Sequence, residues 1–263
     1  SIGNDAASVL DSLREGRPGI GSIKYLETRH SHLPVGEVQL SDDQMKEILG
    51  IEGSEPMSRT SLMGAIAVRQ ALEQAGITDI SGKRVALISG TTVGGMDLTE
   101  KYFERMKTDD SLLYLPQSNE CGKSTLEIAE IAGLKDIETC TISTACSSAL
   151  NSIIIGAEML KRDEVDIVIA GGSESLSKFH LNGFNTLMIL DSEPCRPFDI
   201  ERLGLNLGEA AATIVFGRDC GTEGCWRLVG GNLNNDAYHL SAPSPSGEGT
   251  LGVIENTVRN IDK

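Results

Sequence analysis

A single cysteine in residues 141–149 (TISTACSSA) has the setting of a nucleophile. Cys146 follows an apolar stretch typical of a strand and stands where a helix of small residues begins. The N-terminus of a helix carries partial positive charge and free backbone N–H groups, which favour the reactive thiolate over the thiol. One interpretation is therefore covalent catalysis by Cys146. The other is a buried cysteine that packs as a small hydrophobe, and the spacing alone does not decide between the two.

The elements around this cysteine alternate between strands and helices. Such alternation predicts an α/β fold, a sheet with helices on its faces. Ser58 is a candidate N-cap, and Gly16 and Gly76 are candidate helix stops. A long loop is expected over about residues 175–208, and long loops in compact domains are often functional. The predicted helices are 5–16, 58–75, 93–106, 121–132 and 146–162; the predicted strands are 84–89, 137–142, 165–170, 210–216 and 226–233.

Composition excludes some classes of function. The chain has 263 residues and 40% hydrophobic content, enough for one large core. Its net charge of −15 disfavours nucleic acid as a partner, because nucleic-acid binding requires a basic face. No apolar run approaches the roughly 20 residues of a membrane span, and no signal peptide is evident, so no membrane partner is expected.

The cysteines do not suggest a metal site. They lack the spacing of metal ligands, and only Cys220 and Cys225 lie close together. Without a secretory signal, reduced thiols and a cytoplasmic location are the natural expectation. No metal and no cofactor are predicted. The six cysteines are Cys121, Cys140, Cys146, Cys195, Cys220 and Cys225.

Four sequence elements, in order, resemble those of the β-ketoacyl-acyl carrier protein synthases of the thiolase-like superfamily. They cover roughly the last two-thirds of the chain, and residues 4–19 and 57–76 resemble the family's early helices. The resemblance implies a thiolase-like fold, with a mixed sheet and helices on its faces. The elements are STACSS at 143–148, close to the family's (D/S)TACSS nucleophile element; AGGSE at 170–174; CRPFD at 195–199 with GE at 208–209; and DAYH at 236–239 with AP at 242–243 and GEG at 247–249.

The resemblance also assigns site residues. Cys146 becomes the nucleophile that carries the acyl group. Val93, Ala145 and Phe184 become candidates for the acyl pocket, although each could equally be ordinary core. Val93 lies in the turn GTTVGG at 90–95, which lacks the GK[ST] ending of a phosphate loop. Glu209 matches an acidic family position, for which we expect a structural role rather than acid–base catalysis, with hydrogen-bonding partners if it is buried.

The family's two catalytic histidines are not matched. They lie in HGTGT and NSxxGHxxG elements, and neither element occurs in this sequence, nor does the GFGG stretch of the oxyanion hole. His239 matches a position before the first of those histidines, and a structural role is expected for it. The resemblance therefore predicts that residues 1–233 form the N-terminal half of a synthase, and 234–263 the truncated beginning of the C-terminal half. Such a fragment should be inactive in condensation.

The function implied is that of a 3-oxoacyl-acyl carrier protein synthase of fatty-acid or polyketide-like synthesis. The expected partners are acyl carrier proteins bearing acyl and malonyl groups, and a second synthase chain in a homodimer or heterodimer, with the strand at 137–142 near the two-fold axis. Glu52 and Glu55 stand where elongating synthases often carry basic residues that contact the carrier protein. One explanation is that the carrier docks elsewhere, is unusual or is presented by a partner subunit. The other is that these two glutamates are simply solvated surface residues. Two alternative functions remain. One is a non-catalytic, chain-length-factor-like partner subunit, but the presence of Cys146 argues against it. The other is a CoA-dependent thiolase-like enzyme, but the CRPFD element argues against that.

Overall fold

The computed structural model describes residues 1–218, 225–239 and 242–261, and the side chains up to Arg259. Four strands form one sheet, and helices pack on both of its faces. The helices are α1 (Ala6–Glu15), α2 (Asp42–Leu49), α3 (Arg59–Gln74), α4 (Met96–Met106), α5 (Cys121–Ile131), α6 (Ser148–Lys161), α7 (Lys178–Thr186) and α8 (Glu248–Ile261). The strands are β1 (Val85–Gly90), β2 (Glu138–Ile142), β3 (Ile167–Glu174) and β4 (Ala210–Gly217).

The sheet is mixed and has the strand order β2-β1-β3-β4. β1 pairs in parallel with β2 and with β3, whereas β4 runs antiparallel to β3. The carboxyl ends of β1, β2 and β3 consequently meet at one edge of the sheet. The β4 register pairs Glu174 with Ala210, so the start of β4 lies at that same edge.

Two apolar layers hold the helices to the sheet. All six residues of β1 are buried, and its side chains alternate between the two faces. Leu87 joins a cluster with Val68 of α3 and Ile128 of α5. Ile88 joins a cluster on the opposite face with Leu160 of α6. This two-sided burial explains why β1 reads in the sequence as a continuous apolar run.

Most of the predicted elements are confirmed. The mixed α/β sheet is present, Ser58 caps α3 by accepting from the Ser61 N–H, and Gly16 ends α1 with a φ of 64°. Gly76, the predicted stop of α3, has a φ of 67° just after the helix. The boundaries of these elements differ from the prediction by at most four residues, the largest difference being the end of β3, predicted at residue 170 and observed at Glu174.

Two predictions of secondary structure are wrong. Residues 226–233, within the described segment 225–239, form no strand; Trp226 is fully exposed and the apolar residues beside it find no strand to pair with. The segment 175–208 is not a plain loop, because it contains α7 and a bridge between Leu190 and Leu205. Ser177 caps α7 through the His180 N–H, a signal that the sequence reading missed.

The sequence reading also missed α2. Ser41 and Gln44 form a capping box at its start, and Gly50 closes it with a φ of 67°. The S-x-x-Q pattern was the available signal. Cys220 lies outside the described residues.

Candidate active site

Cys146 lies in the tight turn that connects β2 to α6. Its side chain is exposed and its thiol is free. The preceding residue, Ala145, adopts the left-handed conformation with a φ of 53°, which is uncommon for a residue other than glycine. The chain thus reverses sharply just before the cysteine and presents the thiol at the start of the helix.

Ser148 holds this turn together. The backbone N–H of Thr144 donates to Ser148 Oγ at 2.9 Å, and that hydroxyl donates to the carbonyl of Ala145 at 2.7 Å. The Ser148 N–H donates to the same carbonyl at 3.1 Å. Ser148 itself is buried, whereas Thr144 and Ala145 are exposed, so these bonds are partly shielded from water. Hydrogen bonds within the turn therefore fix its conformation around Cys146.

Two glycines allow the start of α6 to lie directly on the sheet. A Cβ on Gly90 would lie 2.5 Å from the backbone N of Ala149, and a Cβ on Gly172 would lie 2.8 Å from the Ala149 Cβ. Gly90 ends β1 and Gly172 is near the end of β3. Side chains at these positions would push α6 away, and with it the turn that carries Cys146.

Val93 is buried in the turn between β1 and α4. The carboxylate of Glu174, the last residue of β3, accepts from the Thr92 N–H and from Thr92 Oγ1, both at 2.6 Å. It also accepts from Thr91 Oγ1 at 3.3 Å and from the Val93 N–H at 3.4 Å. Glu174 therefore positions the turn between β1 and α4. Sequence reasoning missed these hydrogen bonds, although Glu174 belongs to the AGGSE element.

Phe184 is half-buried on α7 and reaches the same turn through a histidine. The ring of His180 lies edge-on to that of Phe184, with centroids 6.3 Å apart, and His180 Nε2 is 3.5 Å from Thr92 Oγ1. The carboxylate of Glu100 in α4 accepts from the N–H groups of Lys178 and Phe179, each at 2.7 Å. Helix α7 is thereby anchored beside the β1–α4 turn.

Glu209 is buried and its carboxylate is fully hydrogen-bonded. It forms an ion pair with Arg59 at 2.6 Å and accepts from the backbone N–H groups of Val38 at 2.9 Å and Leu176 at 3.0 Å. Arg59 in turn donates to the carbonyls of Val38 and Leu40. The pair connects the start of β4 with α3 and with the segment after β3. All charged atoms of Glu209 and Arg59 have hydrogen-bond partners.

Asp97 stands beside this network in the first turn of α4. Its Oδ2 accepts from the Arg59 N–H at 2.8 Å, whereas its buried Oδ1 has no hydrogen-bond partner. Burial, the largest cause, raises the pKa of Asp97 to about 7. This carboxyl is therefore partly protonated near neutral pH.

The predicted residues come together at one edge of the sheet. Cys146 and Ala145 follow β2, Val93 follows β1, and Glu209 precedes β4. Phe184 joins them from α7 through His180 and Thr92. His239 is exposed and is the last residue of the described segment 225–239.

Two clefts of similar size lie on the surface. One, of about 650 Å³, adjoins the Cys146 turn and is lined by Thr144, Ser147 and Asn151 on one side and by Asp236 and the start of α8 on the other. The second, of about 640 Å³, lies between α1, α3 and β4 and includes only Glu209 of the predicted site residues. The cleft beside the turn is the one relevant to chemistry at Cys146.

Neither a metal cluster nor a membrane helix is found within residues 1–218, 225–239 and 242–261. No three histidine, cysteine or acidic side chains in these ranges are grouped so that they could hold a metal ion. Within the same ranges, none of the helices combines the length and the hydrophobicity that a membrane span requires.

Comparison with known proteins identifies the relatives of this chain. The family model described as the N-terminal domain of β-ketoacyl synthase matches residues 1–219. Nodulation protein E of Rhizobium meliloti (strain 1021) is 28% identical over 94% of the chain and 63% of its own length. The 3-oxoacyl-[acyl-carrier-protein] synthase 2 of Vibrio harveyi is 29% identical over 99% of the chain and 66% of its own length. The chain thus spans just under two-thirds of the length of these curated relatives.

Solved structures share the fold. The ishigamide ketosynthase/chain length factor superposes with a TM-score of 0.85 at 23% identity, over 99% of this chain and 67% of that chain. A ketosynthase in complex with its chain length factor from Xenorhabdus doucetiae gives a TM-score of 0.82 at 26% identity, over 99% of this chain and 65% of that chain. These neighbours confirm the thiolase-like fold expected from the sequence.

Proposed function

The chain belongs to the β-ketoacyl synthase family, and from this premise we propose that it is the nucleophile-bearing part of a 3-oxoacyl-acyl carrier protein synthase of fatty-acid or polyketide-like synthesis. The observation that carries the proposal is the exposed Cys146, held by hydrogen bonds in a turn between a strand and a helix. The relative from Vibrio harveyi bears the name of that activity.

The first step of the proposed reaction is acyl transfer. Cys146 Sγ attacks the carbonyl carbon of an acyl thioester on a carrier protein, and the bond from that carbon to the carrier's sulfur breaks. The thiol proton of Cys146 leaves with the carrier thiol. The backbone N–H of Cys146 donates to the oxyanion that forms at the carbonyl oxygen. Covalent storage divides one difficult condensation into two easier steps.

The second step is decarboxylative condensation. A malonyl thioester loses CO2, and the carbanion attacks the acyl-Cys146 thioester, which releases the cysteine thiolate and a 3-oxoacyl product longer by two carbons. None of the four histidines of this sequence lies in an HGTGT or NSxxGHxxG element. We therefore propose that these 263 residues accept the acyl group but do not catalyse condensation.

The remaining site residues take supporting roles in this proposal. Val93, Ala145 and Phe184 line the acyl chain near Cys146. Glu209 is structural, since its carboxylate is enclosed by Arg59 and two backbone N–H groups and has no free oxygen to offer a substrate. Residues 1–233 form the N-terminal half in this proposal and 234–263 the beginning of the C-terminal half; the match to the N-terminal domain of the family covers residues 1–219.

A second synthase chain is the proposed partner, in a homodimer or a heterodimer. Strand β2 is an edge strand of the described sheet, and its first three residues are exposed. Such an edge is a template for pairing with another chain. One structural neighbour is a ketosynthase bound to its chain length factor, and another is a type II polyketide synthase acyl-carrier protein in complex with its ketosynthase.

A non-catalytic, chain-length-factor-like subunit is the second candidate, because two neighbours are assemblies of a ketosynthase with such a factor. Cys146 separates the two candidates. A non-catalytic partner has no need of an exposed cysteine in a fixed turn, whereas a synthase does.

Intact-protein mass spectrometry after incubation with an acyl carrier protein loaded with octanoate tests the proposal. An octanoyl adduct is expected on the wild type and on Cys140→Ala, which removes a different exposed thiol, and is expected to be absent from Cys146→Ala. Thermal melting checks that both variants are folded. An adduct that survives in Cys146→Ala, or no adduct on the wild type, would favour the non-catalytic subunit.

A further inference from the structure

The outer edge of β2 carries an exposed cysteine at its centre. β2 is an edge strand of the described sheet, and Cys140 is the third of its five residues. The thiol is free and exposed, although cysteine is among the residue types that proteins bury most often. Thr139 beside it is exposed as well. The middle of this edge is therefore accessible to a second chain.

The hydrogen bonds to β1 determine which backbone groups of β2 face outward. The N–H of Thr91, just after β1, donates to the carbonyl of Ile142. The N–H and C=O groups of a strand point to alternate sides from one residue to the next. Every second residue of β2, counted back from Ile142, therefore faces β1. Thr139 and Thr141 direct their N–H and C=O groups away from the sheet.

These groups allow one complete register between β2 and a copy of itself. In an antiparallel pair on a two-fold axis, residues that face outward must oppose each other, so the axis passes through one residue. An axis at Cys140 pairs all five residues of β2, and an axis at any other residue leaves part of the strand unpaired. Thr139 then exchanges two hydrogen bonds with the partner's Thr141, and the symmetric pair adds two more.

The side chains are compatible with an axis at Cys140. Glu138, the one charged residue of β2, lies opposite the partner's Ile142, so the two carboxylates do not face each other. Thr139 and Thr141 form cross-strand pairs of β-branched residues, which favour strands. Thr141 bonds Thr125 of α5 through its hydroxyl at 2.6 Å. Cys140 therefore points to the opposite face of the sheet, on the side of α6.

We propose that β2 pairs antiparallel with β2 of a second copy of this chain about a two-fold axis at Cys140, so that the two Cys140 thiols face each other across the interface. The inference rests on the proposed function in taking a second synthase chain as the partner, and it makes that chain an identical copy. The axis residues form a non-hydrogen-bonded pair, in which the Cα atoms are about 4.5 Å apart. A disulfide spans about 4.4 to 6.8 Å between Cα atoms. Contact between the two thiols explains a cysteine that the single chain exposes.

Oxidation with copper–phenanthroline tests the proposal. The oxidant takes two electrons, two protons leave, and a disulfide forms where two thiols meet. A non-reducing gel of the wild-type chain should show a covalent dimer, and peptide mass spectrometry should find Cys140 linked to Cys140. Cys140→Ala should lose this dimer, whereas Cys146→Ala, which removes a different exposed thiol, should retain it.

Two further variants test the register. Thr139→Cys/Cys140→Ala and Thr141→Cys/Cys140→Ala should each fail to link through the new cysteine alone. Equal positions then lie diagonally across the axis, about 7 to 8 Å apart, which is too far for a disulfide. A mixture of the two variants should link position 139 to position 141. Thermal melting checks that both variants are folded.

The outcomes separate the inference from the function on which it rests. Octanoyl transfer to Cys146 without a link between Cys140 thiols would overturn the inference and leave the proposed function standing. Linkage through Cys146 to the same extent as through Cys140 would also overturn the inference, because random collision would then explain both. Self-linkage of either register variant would exclude an axis at Cys140. A Cys140 link without acylation of Cys146 would support the pairing and overturn the proposed function.

Discussion

The backbone of Gly90 at the end of β1 lies directly against the backbone of Ala149 in the first turn of α6. A Cβ on Gly90 would be 2.5 Å from the Ala149 N and from the carbonyl carbon of Ser148. Real Cβ atoms do not approach backbone so closely, so the absence of a side chain at Gly90 sets where α6 begins, and thereby where Cys146 stands.

Gly90→Ala should displace the start of α6. We expect a loss of about 1 to 3 kcal/mol in the free energy of unfolding, typical of overpacking, and at least a roughly tenfold slower acylation of Cys146, since small misplacements of reacting groups are costly. Urea unfolding and acylation kinetics measure the two effects. Gly122→Ala is the matched control, because a Cβ there meets nothing within 4 Å. Equal behaviour of the two variants would show that the close approach has no influence on Cys146.

Ala145→Gly should be tolerated or slightly stabilising. Ala145 has a φ of 53°, and the left-handed conformation costs a residue with a Cβ about 1 kcal/mol. Relief of that cost offsets the greater entropy of glycine in the unfolded chain. Ala7→Gly, in the exposed first turn of α1, should instead lower stability by up to about 1 kcal/mol. Thermal or urea unfolding decides the matter, and a larger loss at Ala145 than at Ala7 would contradict the strain argument.

Glu209→Ala should strongly destabilise the fold. The substitution leaves the Arg59 guanidinium buried without its principal partner, and breaking one side of a buried pair typically costs about 3 to 5 kcal/mol. Glu158→Ala removes an exposed ion pair with Lys161 and serves as the control, for which little change is expected. Denaturant unfolding gives both values. A loss at Glu209 as small as that at Glu158 would mean that Arg59 finds sufficient partners in Asp42 and the nearby carbonyls.

Asp97→Asn should stabilise the protein at alkaline pH but not in acid. Burial raises the folded-state pKa of Asp97 from 3.8 to about 7, so the folded state retains a proton that the unfolded state loses. Stability therefore falls as pH rises from about 4 to about 7, because the buried carboxyl must ionise. Asparagine removes that penalty.

The measurement is the difference in unfolding free energy between Asp97→Asn and the wild type, in which the other titrating groups cancel. It should be small near pH 4 and favour the variant by roughly 1 to 3 kcal/mol near pH 8. A difference that does not change with pH would show that Asp97 is ionised throughout.

Reversal of charge at Glu52 and Glu55 should tighten the binding of an acidic acyl carrier protein, if the carrier docks at the exposed loop between α2 and α3. We expect about a fivefold gain for Glu52→Lys/Glu55→Lys at low salt, fading as salt screens the charges. Fluorescence anisotropy with a labelled carrier measures it. Glu73→Lys/Asp79→Lys makes the same change in net charge on another exposed surface, and an equal gain there would place the carrier elsewhere.

Local patterns in the amino-acid sequence were sufficient to predict several of the strands and helices. β1 was predictable because a strand buried on both faces is apolar throughout, and α3 because Ser58 and Gly76 mark its ends. The segment 226–233 resembled a strand by the same criterion, yet apolar residues form a strand only where a neighbouring strand can pair with them. α2 and α7 were missed because short helices depend on caps more than on periodicity.

Contacts between residues that are distant in the chain became visible only in the folded structure. The sequence indicated Cys146, but not that Glu174 would hold the Val93 turn, that Arg59 would neutralise Glu209 from 150 positions away, or that His180 would stand between Thr92 and Phe184. The physical reason is the parallel sheet, which brings the carboxyl ends of β1, β2 and β3 to one edge whatever their separation along the chain. Local sequence patterns determine which segments form strands, whereas the order of the strands in the sheet determines which residues lie beside Cys146.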